Sequence, residues 1–365
     1  MHKRIKDLSQ WLKQKGYTFA FINSIPNIFY LTGFYCDPHE RLLGLLVFPG
    51  DDPVLVCPGL EVSRARGDGW QGEIIEYSDL QDPWELTSDL IKFKVNDQNI
   101  AAVEKEFLPV SRSEALMKIL PGLQFAPVEE KLIEMRNIKG LDEITVMREA
   151  GKLADRAMAA AVSVLSEGVT EAEVAAFLEY EMRKAGVPRM AFSTIVLFGA
   201  RSAISHGVPS AVQLKPGDLV LIDMGVVYGG YCSDITRTFA YKQISPEFRE
   251  IYEITHLAQM EAIKACQPGN PISAVDKGAR DVIVAAGYGE NTGMRVGHGI
   301  GIEIHEYPSV SGANNDLLQE GMYFTVEPGI YFDGRGGVRI EDDILITVNG
   351  YESLTAYPKE LQIIG

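Results

Sequence analysis

The chain reads as a two-domain protein of mixed α/β (α+β) class, and three observations lead there. Its 365 residues exceed the roughly 100–200 of an ordinary single domain. From Tyr17 to about Val128, short apolar runs alternate with helical stretches, the rhythm of an α/β layer. Beyond residue 130 the order helix, helix, hairpin comes twice in halves of about equal length, which predicts an internal duplication packed about a pseudo-twofold axis. The charged stretch Val128 to Lys139 is read as a connector, giving domains 1–130 and 131–365.

In the first domain the strands are Phe19-Ala-Phe-Ile22, Leu42 to Phe48 and Pro53 to Val56, and helices fall near Trp84–Phe93 and Ser113–Ile119. The second opens on a long helix, Asp142 to Leu165, with Ile144, Met147, Ala154, Ala157, Ala161 and Val164 on its buried stripe. Thr170-Glu-Ala-Glu173 is a capping box, in which hydroxyl and carboxylate each satisfy a free backbone N–H, and its helix closes at Gly186. A strand near Ser193–Phe198 follows, then a hairpin, Asp218–Val226 and Tyr231–Tyr241, around Tyr228-Gly229-Gly230. The second half repeats this with helices from Glu247 to Cys266 and from Ser273 to Gly287, then a glycine-rich stretch. Its hairpin runs Met322–Phe332, turns through Asp333-Gly-Arg-Gly-Gly337 and returns along Val338–Val348.

With 46% apolar residues the chain has ample material for a core. A net charge of −16 would repel phosphate backbones and anionic headgroups, so neither nucleic acid nor a membrane surface is an expected partner. No run reaches the ~18 apolar residues of a membrane span, and Met1-His-Lys-Arg-Ile-Lys-Asp lacks a signal peptide's apolar core. The expected compartment is the cytoplasm. Cys36, Cys57, Cys232 and Cys266 are widely spaced, as buried reduced thiols would be.

The chemistry gathers on the two hairpins. Asp223 sits in Leu219-Val-Leu-Ile-Asp-Met-Gly, where an ionised carboxylate is costly without compensation. Reflected through the turn, it faces Asp234; Glu327, reflected through Gly334, faces Glu341. A lone mid-strand Asp is usually a hydrogen-bonded or edge residue, but four acids at mirror-related positions make chance a poor explanation. If the halves pack as copies, the four carboxylates converge and raise one another's pKa unless cations neutralise them. Two divalent ions balance the charge, and His298 of Val296-Gly-His-Gly-Ile-Gly301 offers a fifth ligand. This donor set, without thiolate, suits Mn²⁺, Co²⁺, Fe²⁺ or Zn²⁺. Two such ions about 3.5–4 Å apart would hold a bridging hydroxide as the nucleophile of a hydrolysis. Arg339, two residues before Glu341, shares its face and either orients a carboxylate or substrate, or forms a salt bridge to the acids. His206 ends a loop of small residues suited to close approach by substrate, and His305 follows His298 by seven residues.

The series Gly217-Asp-Leu-Val-Leu-Ile-Asp223-Met-Gly, Gly230-Tyr-Cys-Ser-Asp234-Ile-Thr-Arg237-Thr, Gly297-His298-Gly-Ile-Gly, His305-Glu-Tyr-Pro308, Glu327-Pro-Gly-Ile-Tyr and Val338-Arg339-Ile-Glu341-Asp resembles the pita-bread metallopeptidases. Within them it is most similar to the Xaa-Pro dipeptidases (prolidases), then to the Xaa-Pro aminopeptidases. Residues 1–130 resemble that family's creatinase-like N-terminal domain, so the implied fold is creatinase-like followed by a pseudo-twofold pita-bread catalytic domain. The resemblance implies that Asp223, Asp234, His298, Glu327 and Glu341 hold two divalent ions per subunit, Mn²⁺ foremost, with Glu327 also the proton shuttle. His206 and His305 would stabilise the tetrahedral intermediate. Other prolidases carry an Arg where this chain has Ser309, which leaves Arg295 and Arg339 as candidates for the substrate carboxylate. Phe192 resembles the wall of a proline pocket and reads equally as core. His39 and Arg41, in the charged turn Gly33 to Arg41, would help select substrate across a homodimer. The implied activity is hydrolysis of Xaa-Pro dipeptides to an amino acid and proline; the alternatives are an Xaa-Pro aminopeptidase and a non-enzymatic binding module. Retention of all five ligand positions argues against the last.

Overall fold

The computed structural model describes residues 3–94 and 99–365. The chain divides into two compact units, one ending at Arg136 and the other beginning at Asn137. The stretch expected to be a connector is largely a helix, Glu129–Asn137. Its Leu132 and Arg136 are buried, and Arg136 donates to Asn27 Oδ1 at 2.8 Å, so the helix belongs to the first unit. Two buried residues in nine are too few to show as periodicity among its charges.

The first unit is built on a six-stranded mixed sheet in the order Glu73–Tyr77, Val54–Pro58, Gly44–Val47, Phe19–Ile22, Ile100–Val103, Gln124–Pro127. Phe19–Ile22 runs through the middle with all four residues buried, which is why it reads as an unbroken apolar run rather than an alternation. Phe19, Phe21, Phe48, Val56, Ile91 and Leu116 pack together in its core. The half-exposed edge strands Glu73–Tyr77 and Gln124–Pro127 carry no comparable run.

In the second unit the repeated order is realised as two helix pairs, each on its own sheet. Helices Leu141–Ser163 and Glu171–Lys184 accompany a sheet ordered Ile363–Ile364, Ile235–Tyr241, Leu219–Met224, Ile195–Phe198. Helices Pro246–Lys264 and Ile272–Ala285 accompany one ordered Glu306–Val310, Gly297–Gly299, Tyr323–Val326, Asp342–Thr347, Gly350–Ser353. Each half has its own apolar core: Ala154, Met158, Leu178, Val220 and Phe239 in one, Ile251, Ala262, Val275, Phe324 and Ile344 in the other. The expected stripe of the long helix is buried except Val164, half-buried at its C-terminus. All four cysteines are buried and free. No helix among the described residues is long and apolar enough to cross a membrane.

Candidate metal centre

The two hairpins bring their acids together by different registers. Leu219–Met224 pairs with Ile235–Tyr241 so that Asp223 stands opposite Thr236, and the expected pairing with Asp234 is displaced by two residues. The turn centres on Gly229-Gly230, with Tyr228 facing Tyr231, one position later than the sequence suggests. Asp234 is therefore the diagonal neighbour of Asp223 on the same face. In the second hairpin Val326 faces Asp342 and Gly329 faces Arg339, which sets Glu327 across from Glu341 as expected. The Thr236 hydroxyl joins the hairpins, donating to Glu341 Oε2 at 2.5 Å and accepting from Arg339 Nε at 3.1 Å.

His298 lies on the short strand Gly297–Gly299 between two neighbours, where glycine is required for close approach. A Cβ at Gly297 would lie 2.0 Å from the Thr325 carbonyl oxygen, and one at Gly299 2.0 Å from that of Tyr307. The imidazole Nδ1 is 3.1 Å from the Gly299 carbonyl oxygen, which can only accept, so Nδ1 carries the proton and Nε2 the lone pair. That lone pair faces Glu327 Oε1 at 3.3 Å and Asp234 Oδ2 at 3.7 Å. Burial holds the His298 pKa down to about 4, so the ring is neutral at neutral pH.

Acceptor thus faces acceptor, an arrangement that calls for a cation. Ligand atoms of Asp234, His298 and Glu341 all lie within 4.8 Å of one another. Asp223 Oδ1 and Asp234 Oδ1 are buried with no hydrogen-bond partner. Burial, then mutual repulsion, pushes Asp234 and Glu341 well above the ordinary carboxylate range; Asp223 is raised by burial and partly relieved by Arg339. The donor set, oxygen-rich with one nitrogen, fits divalent transition metals.

These five residues line one cavity of about 610 Å³, together with His206, His305, Arg295, Phe192 and Arg339. The His305 ring stands edge-on to His298, centroids 4.3 Å apart, and burial followed by that neighbour holds its pKa down to about 4. Arg295 is exposed at the cavity wall and makes no hydrogen bond or ion pair among the described residues. Arg339 is instead buried and committed: it donates to Asp223 Oδ2 at 2.5 Å and to the Tyr331 hydroxyl at 3.0 Å. Phe192, half-buried, packs beside Ile195, Leu197 and Leu221 while also lining the cavity. In the first unit His39 is exposed, and Arg41 is held by Asp79 through bonds of 2.7 and 3.0 Å.

Three residues of the site had no place in the sequence reading. Thr236 owes its role to the register shift. Tyr331 lines the cavity behind Arg339. Asp343 accepts the backbone N–H of Asp234 at 2.9 Å and fixes its position; its signal was a second acid on the strand face of Glu341.

A two-half scaffold that buries carboxylates around one imidazole lone pair defines a hydrolase working through divalent metal. Residues 145–348 match Metallopeptidase family M24, and residues 4–138 match the Creatinase/Prolidase N-terminal domain. The chain is 50% identical over 361 residues to "Putative dipeptidase YkvY" of Bacillus subtilis, covering 99% of both. Among solved structures it is similar to the Xaa-Pro dipeptidase from Bacillus anthracis, with 34% identity, 99% of each chain covered and a TM-score of 0.92. It is also similar to the X-Pro aminopeptidase from Thermotoga maritima, with 33% identity, 99% of each covered and a TM-score of 0.86. The chain belongs to metallopeptidase family M24, with a creatinase-type N-terminal domain and a pita-bread catalytic domain.

Proposed function

We propose that this metallopeptidase hydrolyses Xaa-Pro dipeptides, with Asp223, Asp234, His298, Glu327 and Glu341 as ligands of two divalent ions, Mn²⁺ foremost. The observation that carries the reading is the His298 Nε2 lone pair facing two carboxylates beside two partnerless carboxylate oxygens. Such ions, when bound, polarise a scissile carbonyl and make water acidic enough to attack at neutral pH.

The protein's own groups do the rest. Glu327 is the most accessible of the five, with 22% of its side chain exposed, and Thr325 Oγ1 donates to its Oε1 at 3.2 Å. It takes the proton of the attacking water and delivers it to the departing proline nitrogen. His305 and His206 donate hydrogen bonds to the carbonyl oxygen as it gains charge. Arg339 fixes the Asp223 carboxylate. Arg295, without a partner among the described residues, binds the free carboxylate of the dipeptide, and Phe192 covers the proline ring. The enzyme works as a cytoplasmic homodimer in which His39 and Arg41 of each subunit contribute to substrate choice in the other.

Hydrolysis of Ala-Pro compared with Ala-Pro-Xaa tripeptides under Mn²⁺ tests the reading. Preference for the dipeptide is expected; preference for tripeptides overturns it in favour of an aminopeptidase.

A further inference from the structure

The strand Ile195–Phe198 ends in a single 3₁₀ turn, Gly199–Ala203, after which the chain reaches His206 and returns along residues 210–214. A stretch with so little regular structure needs something to fix it. Glu171, the first residue of the helix Glu171–Lys184, is fully buried, yet neither the capping box of Thr170 and Glu173 nor the metal centre uses it. Its Oε1 accepts from Phe198 N at 2.9 Å and Arg201 Nε at 3.0 Å. Its Oε2 accepts from Ser210 N at 2.9 Å and Ser210 Oγ at 2.7 Å. One carboxylate therefore gathers the residue where the loop leaves the strand and the residue where it returns. Arg201 spans the remainder, its Nη2 donating to the Val208 carbonyl oxygen at 2.7 Å, two residues past His206.

Two close approaches hold the same loop from below. A Cβ at Gly207 would lie 2.7 Å from both δ-carbons of Leu197, so the residue after His206 rests directly on the strand. Ser202 Oγ accepts the Gly337 N–H at 2.9 Å, joining the base of the loop to the strand that leads to Arg339.

We propose that Glu171, with Arg201, is a positioning residue of the reaction: it sets where His206 stands over the cavity. The proposal rests on the role given to His206 above. Only a carboxylate fits, because the backbone N–H groups of Phe198 and Ser210 and the Arg201 guanidinium, which can only donate, face its two oxygens, Arg201 Nε both of them; glutamine would turn an N–H₂ toward Arg201 and either Ser210 or Phe198. An ion pair between a buried carboxylate and a part-exposed guanidinium adds little stability over apolar packing of the same volume, and here its product is a fixed loop geometry.

The test compares Glu171→Gln, Arg201→Gln, His206→Ala and the double variants as metal-loaded protein. In both Gln variants, hydrogen exchange should quicken in residues 199–210 and not in the helix Pro246–Lys264, with metal content unchanged. The kcat for Ala-Pro should fall roughly 10- to 100-fold, as expected for a misplaced catalytic group, and Arg201→Lys should recover part of it. In the His206→Ala background the same substitutions should cost nothing further. Unchanged exchange in the loop overturns the anchoring itself, and additive losses in the double variants overturn the route through His206. Full activity in His206→Ala overturns the reading of His206 and leaves the exchange result standing. Arg201 is 31% exposed in its side chain, so Arg201→Gln carries the test if Glu171→Gln does not fold.

Discussion

The two hairpins of the catalytic unit each bring two acids to one cavity, yet they present them differently. In the first, Asp223 and Asp234 are short, buried and offset by a diagonal step, with Thr236 opposite Asp223 and Arg339 clamping its carboxylate. In the second, Glu327 and Glu341 oppose one another but differ in access: Glu341 is 1% exposed, whereas the Glu327 side chain keeps 22%. The two hairpins supply four positions for carboxylates, and their difference in access sets three enclosed side chains apart from one that can reach a reactant. Asp223, Asp234 and Glu341, enclosed by neighbours, suit fixed ligands of the proposed ions; the more exposed Glu327 suits proton transfer.

The largest effects test that division directly. A chelator should abolish peptide hydrolysis, and divalent metal should restore it. Asp234→Asn should lower metal content below the two ions per chain expected of a two-metal site and take activity with it. Glu327→Gln should keep more metal than Asp234→Asn while losing roughly 10²–10⁴ in kcat, the usual scale for a general acid–base group. Elemental analysis beside steady-state kinetics reads both; equal metal loss in the two variants would break the contrast between the hairpins.

Proton linkage sharpens it. Burial and mutual repulsion raise Asp234 and Glu341 well above the usual carboxylate range, so protons compete for them with a bound cation, which favours their ionised form. Metal affinity should therefore increase with pH, by up to about tenfold per pH unit for each proton released. Calorimetric titration with Mn²⁺ at neutral pH, in two buffers of different ionisation enthalpy, should show net proton release. Uptake, or no exchange, would mean that these acids are already ionised in the metal-free protein.

Legibility from sequence follows the same contrast. Each hairpin keeps one register throughout, from Tyr323 opposite Leu345 to Phe332 opposite Gly336 in the second and from Leu219 opposite Ala240 to Tyr228 opposite Tyr231 in the first. What differs is the turn: reflection through Gly334 sets the second correctly, whereas nothing local in Tyr228-Gly229-Gly230 marks that the first centres between the two glycines. The five candidate ligands were visible as types and spacings, since an acid in an apolar strand is conspicuous. Thr236 and Tyr331 were not, because their roles are hydrogen bonds to residues about a hundred positions away or to a buried guanidinium. The glycines beside His298 were noticed, but their reason, backbone oxygens 2.0 Å from any added Cβ, exists only in three dimensions.

A smaller effect is expected at the cavity wall. A charge-assisted bond from Arg295 to a substrate carboxylate is worth about 1.5–3 kcal/mol, so Arg295→Ala should reduce Xaa-Pro turnover roughly 10- to 150-fold. Metal content should not change, and the loss should be smaller for the C-terminal amide, which never makes the charged contact. Equal losses on both substrates would show that Arg295 positions the His298 strand instead.

The smallest expected effect lies at the joint between the hairpins. Thr236 is fully buried, and its hydroxyl both donates to Glu341 and accepts from Arg339, so it couples a proposed ligand of the second hairpin to the clamp on Asp223 in the first. Thr236→Val keeps the shape and removes the link. A hydrogen bond of this kind contributes about 1 kcal/mol net, so metal affinity should weaken by roughly 2- to 10-fold, and Thr236→Ser should restore it. If affinity holds while kcat falls, the hydroxyl acts through Arg339 and Asp223 rather than through Glu341, and the first hairpin sets its own geometry. If neither changes, the hairpins hold their ligands independently and the diagonal offset of Asp234 is a consequence of the turn alone. The serine variant decides between these outcomes and a packing effect, because it returns the hydroxyl without the methyl group.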